Sequence, residues 1–264
     1  MGCWMHRSSY QGLVNRNSRR ERPRMSRPRF ALLGICAAAL GVLAFGTAGA
    51  QAEIGAQWLF AERFGSNLVP FLPAFIRLET DVPIFLHTEI LKIKVLFTCT
   101  TTTAENAELK ANGSIGEGAK IKYSGCTTQL NGVTASECEP KAGGEKGVIR
   151  TNGLHALMRL HELAGGVRDD LILVLPDSGE LITTIELPAE CPIGTKVPIL
   201  GTFTLKDCEN LILTHLVKHL LEIGPLDSLW SISKTSEHAV GFLGSWWAKL
   251  IGAHEGLKWS GDPA

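Results

Sequence analysis

The chain has 264 residues, 45% of them apolar, with 26 basic and 26 acidic side chains in formal balance. Eight of the basic residues but only one acid, Glu21, fall in the first 52 residues. That leaves 18 against 25 beyond them, an excess of seven negative charges. A surface of that sign offers no electrostatic reason to bind phosphate backbones or anionic lipid, so nucleic acid is not an expected partner.

The first element is an export signal over residues 1–52. Eight arginines between Arg7 and Arg29 precede an uncharged run, Phe30–Phe45, and small residues follow, with Ala48-x-Ala50 and Ala50-x-Ala52 fitting the signal-peptidase rule. The run of 16 residues, at about 1.5 Å each, falls short of a hydrocarbon core of roughly 30 Å, which favours a cleaved signal helix over a retained anchor. Met25 opens a more ordinary signal, so Met1 stands as a candidate upstream start. Arg22 and Pro23 spoil a twin-arginine motif at Arg19-Arg20, and Ile35 before Cys36 spoils a lipoprotein site. The mature chain, residues 53–264, is long enough for one domain with a real core or two small ones. It has no further apolar stretch of 18 residues and hence no expected permanent membrane span.

Residues 53–80 are set apart as a candidate poorly ordered segment: apolar anchors such as Trp58 and Phe60 are interrupted by Pro70 and Pro73. From Val82 onward short apolar runs alternate with turn residues, the signature of strands. The runs are Ile90–Thr98, Ala119–Tyr123, Gly147–Arg150, Leu171–Leu175, Leu181–Leu187 and Val197–Leu205. Lys92 and Lys94 alternate with Leu91, Ile93 and Val95, so the lysines face water. Asn131-Gly132, Gly143-Gly144 and Pro176-Asp-Ser-Gly179 mark turns, the last read as a hairpin. Leu154–Leu163 has helix-favouring residues but sits in a strand series between glycines, and is read as a strand. Asn210–Ile223, with Asn210 as cap and Gly224-Pro225 as stop, is the best helix, and Val240–Ile251 is a second. The expected fold is therefore mainly β, an antiparallel sandwich or barrel-like domain with one or two C-terminal helices, preceded by a signal helix.

No motif names a reaction. His215, His219 and Glu222 would share a helix face, but Leu216 stands where the hydrolytic zinc motif has Glu. No Gly-x-Ser-x-Gly elbow is present, and Gly113–Lys120 lacks phosphate-loop spacing. Asp169, Asp170, Asp207, Glu209, Asp227 and Glu237 offer carboxylates with no rule to select a pair. No catalytic residue, cofactor or metal is expected. Trp246, Trp247 and Trp259 are a candidate glycan-stacking platform, weighed against a tryptophan-rich closing layer of the core.

Five cysteines lie beyond the signal, Cys99, Cys126, Cys138, Cys191 and Cys208, with no close pair of the zinc type. Cys126 and Cys138 enclose a short loop with Asn131-Gly132, so a bridge between them is expected, worth roughly 3 kcal/mol on the chain-entropy argument. Cys99–Cys191 is the preferred second bridge, and Cys191–Cys208 the alternative.

Cys99, Tyr123-Ser-Gly-Cys126, Cys138, Gly147-Val-Ile-Arg-Thr151 with Leu154, and Cys191 followed by Val197-Pro-Ile-Leu-Gly201 resemble a set of uncharacterised secreted proteins of high-GC Gram-positive bacteria. The resemblance covers about Val82–Thr204 and implies a β-rich domain behind a signal peptide, with Cys99, Cys126, Cys138 and Cys191 as the bridged set. It brings no activity. The expectation is a secreted or cell-surface, non-catalytic protein that binds an extracellular glycan or cell-wall component. A polysaccharide hydrolase and a structural envelope component are the alternatives, and the oligomeric state is left open.

Overall fold

The computed structural model describes residues 57–61, 68–70, 73–110, 112–162, 168–207, 213–221, 228–233 and 236–262. The expected signal segment, residues 1–52, lies outside them.

The chain opens with β1 (Gln57–Ala61) and β2 (Leu68–Pro70), then a long β3 (Ala74–Ile90) that returns as β4 (Ile93–Cys99). β5 (Thr101–Glu105) and β6 (Glu108–Leu109) lead to β7 (Ser114–Ser124), and β8 (Thr127–Leu130) with β9 (Val133–Thr134) forms a hairpin. A 3-10 turn at Ser136–Cys138 precedes β10 (Lys141–Ala142), β11 (Glu145–Lys146) and β12 (Val148–Arg150). Next come β13 (Leu154–Glu162), β14 (Arg168–Pro176), β15 (Leu181–Glu186) and β16 (Lys196–Asp207). β17 (Val217–Leu221), β18 (Ser228–Ser233), β19 (Ser236–Ala239), β20 (Gly241–Ile251) and β21 (Trp259–Asp262) complete the chain, with a second 3-10 turn at Gly252–His254. The molecule is mainly β and every named pairing is antiparallel.

Eight strands close on themselves. β3 pairs with β6, β6 with β7, β7 with β13, β13 with β14, β14 with β16, β16 with β17, β17 with β20, and β20 with β3. A closed ring leaves no unpaired edge, and at this strand number the interior is just wide enough for side chains or one small guest. Alternation supplies its lining: Ile76 and Leu78 on β3, Ala156 and Met158 on β13, Val217, His219 and Leu221 on β17, and Trp246, Ala248 and Leu250 on β20 are all buried. The small sheet β2–β1–β21 lies against one mouth, where Trp58 and Trp259 join the ring's lining residues with ring centroids 5.6 Å apart.

The long strands run on past the ring into a second layer. The first half of β16 pairs with β15 and β18, while its second half pairs with β14 and β17. The change falls at Gly201, φ +106°, where a Cβ would stand 1.6 Å from the Ser228 carbonyl oxygen. On β20 the register slips around Gly244, φ +146°, next to Pro83 and Ile84 of β3. Bulged glycines of this kind let a strand turn a corner and leave one sheet for another. The second layer packs Ile84, Leu86, Phe97, Ile149, Ile182, Ile199, Phe203 and Phe242. Phe242 meets Tyr123 and Phe203 edge-on.

Several expectations change. Both C-terminal helices are strands: Val217–Leu221 is β17 and Gly241–Ile251 is β20, while 210–212 and 222–223 lie outside the described residues. The helix-favouring leucines of this region are overruled by pairing on both sides, β17 between β16 and β20, which rewards a period of two instead of 3.6. Ile90–Thr98 is two strands joined at Leu91-Lys92, both at positive φ. Pro176–Gly179 is no hairpin, because β14 and β15 each pair with β16 in place of one another. Leu154–Glu162 is a strand, and residues 57–61 and 74–80 of the stretch set apart are strands as well.

Candidate functional site

The tryptophans separate by strand parity. Trp246 and Trp259 are 1% and 0% exposed, so neither can offer a ring face to a sugar, and the candidate stacking platform gives way to the core layer weighed against it. Alternation sends Trp246 into the ring and Trp247 to the outside of β20. There Lys218 Nζ lies 5.2 Å from the Trp247 centroid. Asp81 Oδ2 accepts from Lys218 Nζ at 2.6 Å and Ser245 Oγ at 2.8 Å. Lys218 first, then Ser245, holds the Asp81 carboxyl below its usual range. Trp247 is thus spoken for by a cation–π contact.

The four bridged cysteines pair differently from the expectation. Cys99 joins Cys126 and Cys138 joins Cys191; Cys208 lies outside the described residues. The reason is register: β4 and β8 pair Val95 with Leu130 through Thr98 with Thr127, so Cys99 and Cys126 occupy the next rung, their Cα atoms 4.0 Å apart. Cys138 leaves the β8–β9 hairpin through the 3-10 turn and meets Cys191 of the β15–β16 loop instead.

His215 is exposed while His219 is buried, so the two do not converge, and Glu222 lies outside the described residues. His155 Nδ1 is 3.3 Å from Asp177 Oδ1, and Asp177 Oδ2 accepts from the Gly118 amide at 2.8 Å, which pins the bulge of β7 to the turn after β14. Backbone register sets Asp170 opposite Asp207.

Two concavities bear on function. The first is an open groove of about 810 Å³ across the outward face of β20, β3, β4 and β8. Its floor carries Phe85, Leu96 and Leu243, and its flanks carry His87, Glu89, Lys94 and Gln129. Register places His87 between Gly241 and Leu96, and Glu89 opposite Lys94. The His87 imidazole lies over Gly241, with Cε1 1.8 Å from where a Cβ would stand, so only glycine there seats the ring. Alternation marked Lys94 as water-facing, but nothing in the sequence pointed to these residues as a site, because β3, β4 and β20 meet only in the fold.

The second is the interior of the ring, about 50 Å³ and almost wholly apolar in lining. Among its lining residues the buried His219 Nδ1, Trp246 Nε1 and Trp259 Nε1 have no hydrogen-bond partner. Burial pushes the His219 imidazole down to about 4, keeping it neutral. By contrast the Trp58 indole, in the same cavity, donates to the Ser114 carbonyl at 3.2 Å.

Comparison of the chain with protein-family models, with curated proteins and with solved structures finds no match.

Proposed function

We propose that this is a secreted, non-catalytic binding protein whose outer groove holds an extracellular glycan. The observation that carries the reading is the groove itself: a volume within the range of small-ligand sites, with ring side chains and an apolar floor flanked by a carboxylate, an ammonium and an amide. Sugar rings present C–H faces to apolar and aromatic surfaces and hydroxyls to polar tips, and the groove supplies both. A peptide added as a strand fits less well. β3 is paired on both sides by β4 and β20, and β4 by β3 and β8, so neither strand offers a free edge to extend. Two disulfides suit an oxidising compartment, and no helix among the described residues is long and apolar enough to cross a membrane.

A glycan array followed by titration of any binding oligosaccharide tests the reading. Phe85→Ala, at a half-buried position outside the core, should weaken binding at least about tenfold, in line with loss of an aromatic contact. Unchanged affinity in Phe85→Ala and His87→Ala, or an array with no binder, would sink it.

A further inference from the structure

We infer that the interior of the eight-stranded ring is a second site, separate from the groove, that admits a small neutral molecule with a hydrogen-bond acceptor on an apolar body. Trp246 Nε1, Trp259 Nε1 and His219 Nδ1 are buried without partners around one cavity. A buried polar atom left unpaired costs about 1–3 kcal/mol, and native interiors hold few of them. Three in one place therefore call for an occupant. His219 and Trp246 stand directly opposite each other on β17 and β20, and Trp259 is bridged to Thr214, a few residues before β17.

The chemistry of the walls selects the class. Indole N–H groups only donate, so the occupant must accept. The neutral His219 can donate or accept according to tautomer. No carboxylate lines the cavity to neutralise a cation, and Lys120 is the only charged side chain among the lining residues. An anion would have to shed its hydration into an almost wholly apolar lining, at a high cost.

Water is the rival occupant. A cavity of about 50 Å³, against roughly 10–15 Å³ for one water, would take about three or more. Each wants two to four partners, and apart from three orphaned wall atoms the lining is almost wholly apolar, so such waters would lean chiefly on one another. A compact molecule with one carbonyl and methyl groups fills the same space and can accept from both indoles through its two lone pairs.

Acetone is a suitable probe, with one carbonyl and two methyls. In the ¹⁵N-labelled protein, titration with acetone should shift the Trp246 and Trp259 indole N–H resonances saturably, and the resonance of Trp247, on the outside of β20, should stay in place. Assignment by through-space contacts needs no variant; His219→Phe, which fills the cavity, should weaken the effect at least tenfold. Three results would each overturn the inference. One is a non-saturating drift shared by all indoles, another is no shift at all. The third is long-lived water contacts at both indoles that persist at the highest acetone concentration.

Discussion

His219 carries a signature that a solution measurement can read. Burial lowers its pKa from the ordinary 6.5 to about 4, so between those values the unfolded chain takes up a proton that the folded chain refuses. Stability from this group is complete above about pH 6.5 and falls as pH drops toward 4, by at most about 1.4 kcal/mol per pH unit. Asp81 acts in a lower window: its depressed pKa adds stability above the ordinary 3.8 that is lost as pH falls below it. Urea unfolding from pH 7 to 4 should therefore show a slope that His219→Leu largely removes. A slope unchanged in that variant would show that His219 is solvated or partnered. At this scale the sequence was a poor guide. His219 looked like half of a helical pair with His215, and only its place on β17, facing into a closed ring, explains its burial.

Among the elements, three two-residue turns can be compared within one molecule. Asn131-Gly132 and Gly143-Gly144 join β8 to β9 and β10 to β11 with positive φ throughout, using residues that tolerate it. Leu91-Lys92 makes the same kind of turn between β3 and β4, at φ 52° and 66°, with residues that do not. Replacing the pair by Asn-Gly should relieve roughly 1 kcal/mol of strain and raise the urea midpoint at an unchanged slope. If stability does not rise, contacts of Leu91 or Lys92 offset the strain. The two turns with Asn or Gly were legible in the sequence because their residues permit positive φ. The Leu91-Lys92 turn was not, since alternation ran through it and suggested one continuous strand.

For the whole molecule, the disulfides bind regions that the sheet alone leaves apart. Cys99–Cys126 reinforces neighbours already held by the β4–β8 ladder, whereas Cys138–Cys191 ties positions 53 residues apart. Non-reducing peptide mapping should recover these two links, and a Cys126–Cys138 peptide would refute the arrangement. Cys138→Ser with Cys191→Ser should cost up to about 4 kcal/mol by loss of loop closure. The sequence by itself determined the β class and, in whole or in part, the strands β4, β7 and β12 to β16, because alternation and turn residues are local. Tertiary structure alone decided the partners: which cysteines meet, that the tryptophans turn inward, that helix-favouring leucines lie in strands, and that a groove and a polar-spotted cavity exist. Each depends on the register between strands distant in sequence, and ring closure fixes that register only when all eight strands are in place.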